Sequence, residues 1–240
     1  MAPLLELAGV ETHVGRYHIL HGVDLVVPEG KVSVLLGRNG DGKTTTLRTI
    51  MGLWRASRGA IRFAGREIAA LATADIARLG IAYVPENMGV FTALSVGENF
   101  RLADWRSDPA PARLEAAMAA FPVLARKWGD RAGTLSGGQK QMLAIGRAIA
   151  SDHRLLIIDE PSKGLAPVMV TQLTDALARL KEARTTILLV EQNFAMARRL
   201  GDHAAVMEDG RIVHVGGMAA LAEDVSLQTK LLGLSLASHQ

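Results

Sequence analysis

An α/β fold built on a mainly parallel sheet with helices on both faces is what this sequence predicts, and three observations predict it. Short apolar runs, rich in Val, Ile and Leu, recur at 31–36, 81–84, 155–158 and 186–190. Runs of that length and composition are what strands covered on both faces look like. Segments with helical periodicity alternate with them, at Lys43–Met51, Gln141–Ala150 and roughly Pro167–Lys181. That alternation implies βαβ units. Finally, Asp209-Gly210 separates two β-like segments, 204–208 and 211–215, which predicts a hairpin with a type I′ turn and so a small antiparallel part.

Each element has its own local reason. Pro167 suits a first helical turn, where a missing N–H costs nothing. Ser95 and Glu98 have the spacing of a capping box that opens a helix. Residues 87–135 are alanine-rich and interrupted by Pro109, Pro111 and Pro122, which predicts an inserted helical subdomain. The expected organisation is one domain: a core formed by 1–86 and 136–218, the helical subdomain 87–135, and a C-terminal tail 219–240. No internal repeat or low-complexity stretch interrupts it.

Composition narrows the function classes. The chain has 240 residues, 49% hydrophobic and 21% charged, with no cysteine. Disulfides and thiolate metal sites are therefore excluded. The net charge of +3 is small and the basic residues are scattered, so nucleic acid is not expected as a partner. No apolar stretch approaches the ~18 residues needed to span a bilayer. Met1-Ala-Pro-Leu-Leu-Glu does not read as a signal peptide.

The strongest chemical signal is Gly37-Arg38-Asn39-Gly40-Asp41-Gly42-Lys43-Thr44-Thr45. It matches the phosphate-loop pattern in full, between an expected strand and an expected helix. Glycines let backbone N–H groups curl around phosphates, and the helix that follows points its positive end at the anion. Lys43 would reach the terminal phosphates, and the Thr44 hydroxyl would ligate Mg²⁺. The bland reading is a glycine-rich turn. A second signal is Leu155-Leu156-Ile157-Ile158-Asp159-Glu160, a buried strand ending in two acids at the carboxyl edge of the sheet, where ligands bind in such folds. Asp159 would hold Mg²⁺ through water, and Glu160 would polarise an attacking water. The bland reading here is a solvated acidic turn.

A third signal is Leu135-Ser136-Gly137-Gly138-Gln139. Ser136 and Gln139 form a capping box, so one reading is simply a well-started helix. Two glycines in a first turn weaken a helix by roughly 1 kcal/mol each. Close approach of the backbone to an anionic ligand is the other reading.

In this order and spacing the three motifs resemble the ATP-binding-cassette ATPases. The stretches Ala144–Ala148, Asp159–Pro167 and Val190–Asn193 are similar to one branch, the ATPase subunits of branched-chain amino-acid importers and their urea and amide relatives. The resemblance covers essentially the whole chain. It implies a P-loop NTPase fold, ATP with Mg²⁺, and a head-to-tail dimer with itself or a paralogous ATPase subunit. In that dimer Ser136, Gly137, Gly138 and Gln139 of one subunit complete the ATP site of the other. It also implies transmembrane permease subunits as partners, a solute-binding protein acting through them, and a peripheral position on the cytoplasmic side of the membrane.

Some positions depart from the family pattern. Glu86 stands where a glutamine usually senses Mg²⁺ and the permease. Gln192 stands where a switch histidine is usual. Val14 stands at the adenine-stacking position, with Tyr17 as the substitute. Asp41 lies inside the phosphate loop and Lys163 lies just past Glu160. The two either pair across the dimer or face water independently. His13, His18, His21, His153, His203 and His214 show no metal-ligand spacing. Trp54, Trp105 and Trp128 read as packing residues, and Arg198-Arg199 as a solvated helix end.

Overall fold

The computed structural model describes residues 3–103 and 108–232. Trp105 and the last part of the expected tail, 233–240, lie outside them. The described elements, in chain order, are β1 (Pro3–Val14), β2 (Tyr17–Pro28), β3 (Val32–Leu36), α1 (Lys43–Ile50), β4 (Ala56–Phe63), β5 (Arg66–Glu67), α2 (Thr73–Arg78) and β6 (Ile81–Val84). They continue with α3 (Val96–Arg101), α4 (Pro111–Ala120), α5 (Pro122–Arg126), α6 (Gly137–Ala150), β7 (Leu155–Asp159), α7 (Pro167–Glu182) and β8 (Thr186–Glu191). The chain then forms α8 (Phe194–Leu200), β9 (His203–Glu208), β10 (Arg211–Gly217), α9 (Met218–Glu223) and α10 (Val225–Leu232).

Two sheets organise the molecule. The larger has the order β10-β9-β3-β8-β7-β6, parallel throughout except for the β9–β10 hairpin. β3, β7 and β8 are buried at every residue, which is why they are uninterrupted apolar runs. Their side chains alternate between two faces. Leu35, Leu155, Ile157, Leu188 and Val190 join the core formed with α1 and the smaller sheet. Val34, Leu36, Leu156, Ile158, Ile187 and Leu189 join the core formed with α6, α7 and α8. The hairpin turns at Asp209 and Gly210, both at positive φ (43° and 73°), as the Asp-Gly pair predicts. A Cβ at Gly210 would lie 2.0 Å from the Ile19 carbonyl oxygen, so the position also needs a residue without one.

The smaller sheet, β2-β1-β4-β5, is antiparallel. Sequence patterning predicts no strand in these segments. Register shifts interrupt the β1–β2 ladder at Leu7/Val10 and near both ends, and Gly9 is at φ 57°. A bulge inserts a residue and breaks the two-residue alternation by which a half-covered strand is recognised. The capping box at Ser95 forms with both of its bonds. Trp128 packs by stacking on Phe100 with ring centres 5.5 Å apart. Arg199 is not simply solvated, because it pairs with Asp175 on α7.

Candidate active site

The site gathers at the carboxyl ends of β3, β7 and β8, where three neighbouring parallel strands release their chains. β3 leads into the loop Gly37–Gly42 and then α1. A Cβ on Gly37 would meet the Met207 carbonyl oxygen at 2.5 Å, and Gly42 caps α1 at φ 103°. No β-carbon fits the first position, and the left-handed backbone at the second favours glycine. Lys43 is only 4% exposed. Its ammonium donates to the carbonyls of Gly37 (2.9 Å) and Arg38 (2.8 Å), and lies 3.2 Å from Glu160 Oε1. Thr44 and Thr45 follow on the first turn of α1.

β7 ends in Asp159, which is fully buried. The Thr44 hydroxyl donates to its Oδ1 at 3.2 Å and the Tyr83 hydroxyl to its Oδ2 at 3.3 Å. Burial pushes the Asp159 carboxyl up to about 6, more than these hydrogen bonds lower it. An oxygen-only set of one carboxylate and one hydroxyl beside a phosphate loop fits a Mg²⁺ ion, which takes few protein ligands and completes its shell with phosphate and water. Glu86, the other expected ligand, follows β6 and is tied instead to Lys163, with Nζ–Oε1 2.7 Å.

Glu160 adopts a left-handed backbone conformation (φ 45°), anchored by its N–H to the Val190 carbonyl at 2.9 Å. Such strain in a residue with a side chain is typical of functional positions. Its Oε1 accepts from Gln192 Nε2 at 2.7 Å, and the same amide nitrogen donates to Asn39 Oδ1 at 2.6 Å. Burial works against the Glu160 carboxylate, but the bonds from Gln192 and Lys43 outweigh it and hold its pKa below the usual range.

Thus the structure links Asn39, Gln192, Glu160 and Lys43 in one run of contacts and bonds Thr44 to Asp159, the residue before Glu160. Asp41 bonds within its own loop, where its Oδ2 accepts from the Arg38 N–H. Lys163, expected either to pair with a partner's Asp41 or to face water, is engaged within its own chain by Glu86 and Glu160. Tyr17 opens β2 directly opposite Val14 and is 60% exposed, with the Arg16 guanidinium 5.3 Å from its ring centre.

The Ser136–Gln139 segment stands apart from this cluster. Ser136 and Gln139 cap each other at 3.2 and 3.3 Å, and α6 begins at Gly137 rather than at Gln141. A Cβ on Gly138 would collide with the Met169 side chain at 2.5 Å, so packing against α7 already explains that glycine. Gly137 has open space beside it.

Two site residues carry only weak sequence signals. Tyr83 sits on β6 and reads in the sequence as part of an apolar run. Glu191, 1% exposed at the end of β8, accepts four hydrogen bonds: from the Ser162 N–H and hydroxyl (2.9 Å each) and from the N–H groups of Gln192 and Asn193 (3.0 Å each). It ties the segment after Glu160 to the segment carrying Gln192. Burial pushes its pKa up. An acid closing a buried strand is the signal that points to it.

Fold and site together are those of a phosphate-loop nucleotide hydrolase. The sequence profile of the ABC transporter family matches residues 20–163. The high-affinity branched-chain amino acid transport ATP-binding protein BraG of Pseudomonas aeruginosa is 40% identical over 232 residues, which is 96% of this chain and 100% of BraG. BraF of the same organism, a protein of the same description, is 32% identical over 227 residues, 87% of this chain and 89% of that protein. A solved ATP-binding subunit of an ABC transporter superposes with TM-score 0.80 at 30% identity, covering 98% of this chain and 96% of its own. The chain belongs to the ABC transporter family. It is an ATP-binding subunit that hydrolyses ATP.

Proposed function

We propose that this chain powers an importer for branched-chain amino acids or related small polar solutes, and that its hydrolysis runs on the cluster described above. The observation that carries the catalytic reading is the convergence of Lys43, Thr44, Asp159, Glu160 and Gln192 from three strand ends. The N–H groups of Gly37–Thr45 cradle the β- and γ-phosphates, and Lys43 turns from the carbonyls of Gly37 and Arg38 to the phosphate oxygens. Thr44 and Asp159, with Glu86, hold Mg²⁺, which when bound offsets charge on the phosphates. Glu160 polarises the attacking water and Gln192 donates towards the γ-phosphate. Tyr17 receives the adenine. Ser136–Gln139 of a second subunit closes the site from outside, a reading supported by a helix N-terminus with open space at Gly137.

The partners follow from the same reading. They are a second copy or a paralogous ATPase subunit, arranged head to tail, and permease subunits at the cytoplasmic face of the membrane, served by a solute-binding protein. No helix among the described residues is long and apolar enough to cross a membrane. The segment Pro85–Gly89 is flanked by two clefts. A groove of about 520 Å³ is lined by Met88, Leu102, Ala144 and Arg147, and a second cleft by Leu53, Trp54, Tyr83 and Glu86. A permease helix seated there would press directly on Glu86. The solute class rests on the two relatives' names.

Steady-state phosphate release tests the reading. Glu160→Gln keeps ATP binding and loses nearly all turnover, because the amide can hold position but cannot polarise water. Retained turnover in that variant assigns the base elsewhere. Uptake by vesicles holding the cognate permease, with leucine against urea as solutes, tests the solute class.

A further inference from the structure

Both oxygens of the Glu160 carboxylate face donors of the same chain. Oε1 receives Gln192 and faces Lys43, and Oε2 lies 3.5 Å from Lys163 Nζ. Lys163 is held by a tight turn, with its N–H donating to the Glu160 carbonyl at 3.2 Å and Gly164 following at φ 70°. The turn directs its side chain back over Glu160 to Glu86, which lies 77 residues away in sequence.

We propose that Lys163 is a positioning residue that bridges Glu86 and Glu160 at rest, and that it must leave Glu86 when a divalent cation arrives with ATP. The inference rests on the ATP-site reading above and adds a device to it. The Lys163 ammonium, 2.7 Å from Glu86 Oε1, and a cation draw on the same negative charge, so each weakens the other's hold on Glu86. A cation held by Glu86 would therefore loosen Lys163 from it. The cation and Lys163 thus compete for Glu86, and anything that moves Glu86 also moves the ammonium that reaches Glu160. The bridge is half-exposed on both the Lys163 and Glu86 sides (50% and 44%), so it is weak enough to open on each cycle.

Two measurements test this. The first is carbodiimide cross-linking of the full chain, which joins an amine to a carboxylate only when they touch, read by mass spectrometry. A Lys163–Glu86 cross-link is expected without nucleotide, retained with ATP in EDTA, and depleted with ATP and Mg²⁺. Its absence from the nucleotide-free chain, or a yield that ATP with Mg²⁺ leaves unchanged, overturns the bridge. The second is the Mg²⁺ midpoint for ATP binding, read with a fluorescent ATP analogue in a Glu160→Gln background so that no turnover intrudes. Lys163→Met removes the competitor for Glu86 and should lower the midpoint by about two- to fivefold, the range for an exposed ion pair. Lys163→Arg should restore the wild-type midpoint, and Glu86→Gln should abolish the effect of Lys163→Met. An unshifted midpoint in Lys163→Met, or the same shift with Glu86→Gln present, overturns the competition. Failure of the parent protein to bind ATP at all would instead count against the ATP-site reading, while the nucleotide-free cross-link still tests the bridge.

Discussion

Asp159→Asn should stabilise the protein in the absence of nucleotide and metal, and the gain should depend on pH. Asp159 is wholly buried, and its carboxyl is raised from an ordinary 3.8 to about 6. A folded-state pKa above the unfolded one means that the ionised form disfavours folding. The penalty is complete above the folded pKa and vanishes below the unfolded one. Two pKa units at about 1.4 kcal/mol each give a penalty of roughly 3 kcal/mol above pH 7, falling below roughly 1 kcal/mol by pH 4. The amide carries no charge and keeps both bonds, accepting from Thr44 and donating to the Tyr83 oxygen. For a chain of this size the gain above pH 7 corresponds to a melting temperature higher by about 5–10 °C. Thermal unfolding in EDTA at pH 8, 6 and 4.5, followed by circular dichroism, measures it. Saturating Mg²⁺ with ATP should reverse the ranking, since the wild-type carboxylate then gains a counter-charge. A variant no more stable than wild type at pH 8, or a gain of equal size at pH 8 and 4.5, refutes the argument that desolvation dominates at Asp159.

Further outcomes follow from the same geometry. Lys43→Ala removes the ammonium beside the phosphate position and should weaken ATP binding by more than about tenfold, measured by calorimetric titration. Ser136→Arg should leave nucleotide binding by the isolated chain intact and lower turnover at least about tenfold, since the bulky cation blocks only the face that meets a second subunit; comparing binding with phosphate release checks both halves. Glu191→Ala strips four part-buried donors of their acceptor and should cost about 1–3 kcal/mol in urea unfolding, whereas Glu29→Ala, which breaks an exposed pair with Arg154, should cost at most about 1 kcal/mol.

Features written within a few residues of chain are legible in the sequence alone. The capping boxes at Ser95 and Ser136 and the Asp209-Gly210 turn follow from interactions a few residues apart, and the strand Ile81–Val84 from its own short apolar run. The phosphate loop and the acidic strand end belong to the same class, because each motif carries its own chemistry and its own flanking element. The antiparallel sheet is not legible as strands, since its alternation is broken by bulges and its pairing joins β1 to β4 across some fifty residues.

By itself, then, the sequence determined which backbone segments become strands and helices in the parallel core and which residue types stand at their ends. Tertiary structure alone decided which of those ends meet. Tyr83 reaches Asp159 across 76 residues and Gln192 reaches Asn39 across 153, through neighbouring strands whose order no local pattern encodes. It decided that Gly138 is small because Met169 lies against it, and that Asp41 closes on its own loop. It also gave Lys163 to Glu86 and Glu160. The physical reason is common to all of these. A charge or hydroxyl acquires its pKa, its partner and its role from what is packed around it, and that surrounding is assembled only when the sheet brings distant segments side by side.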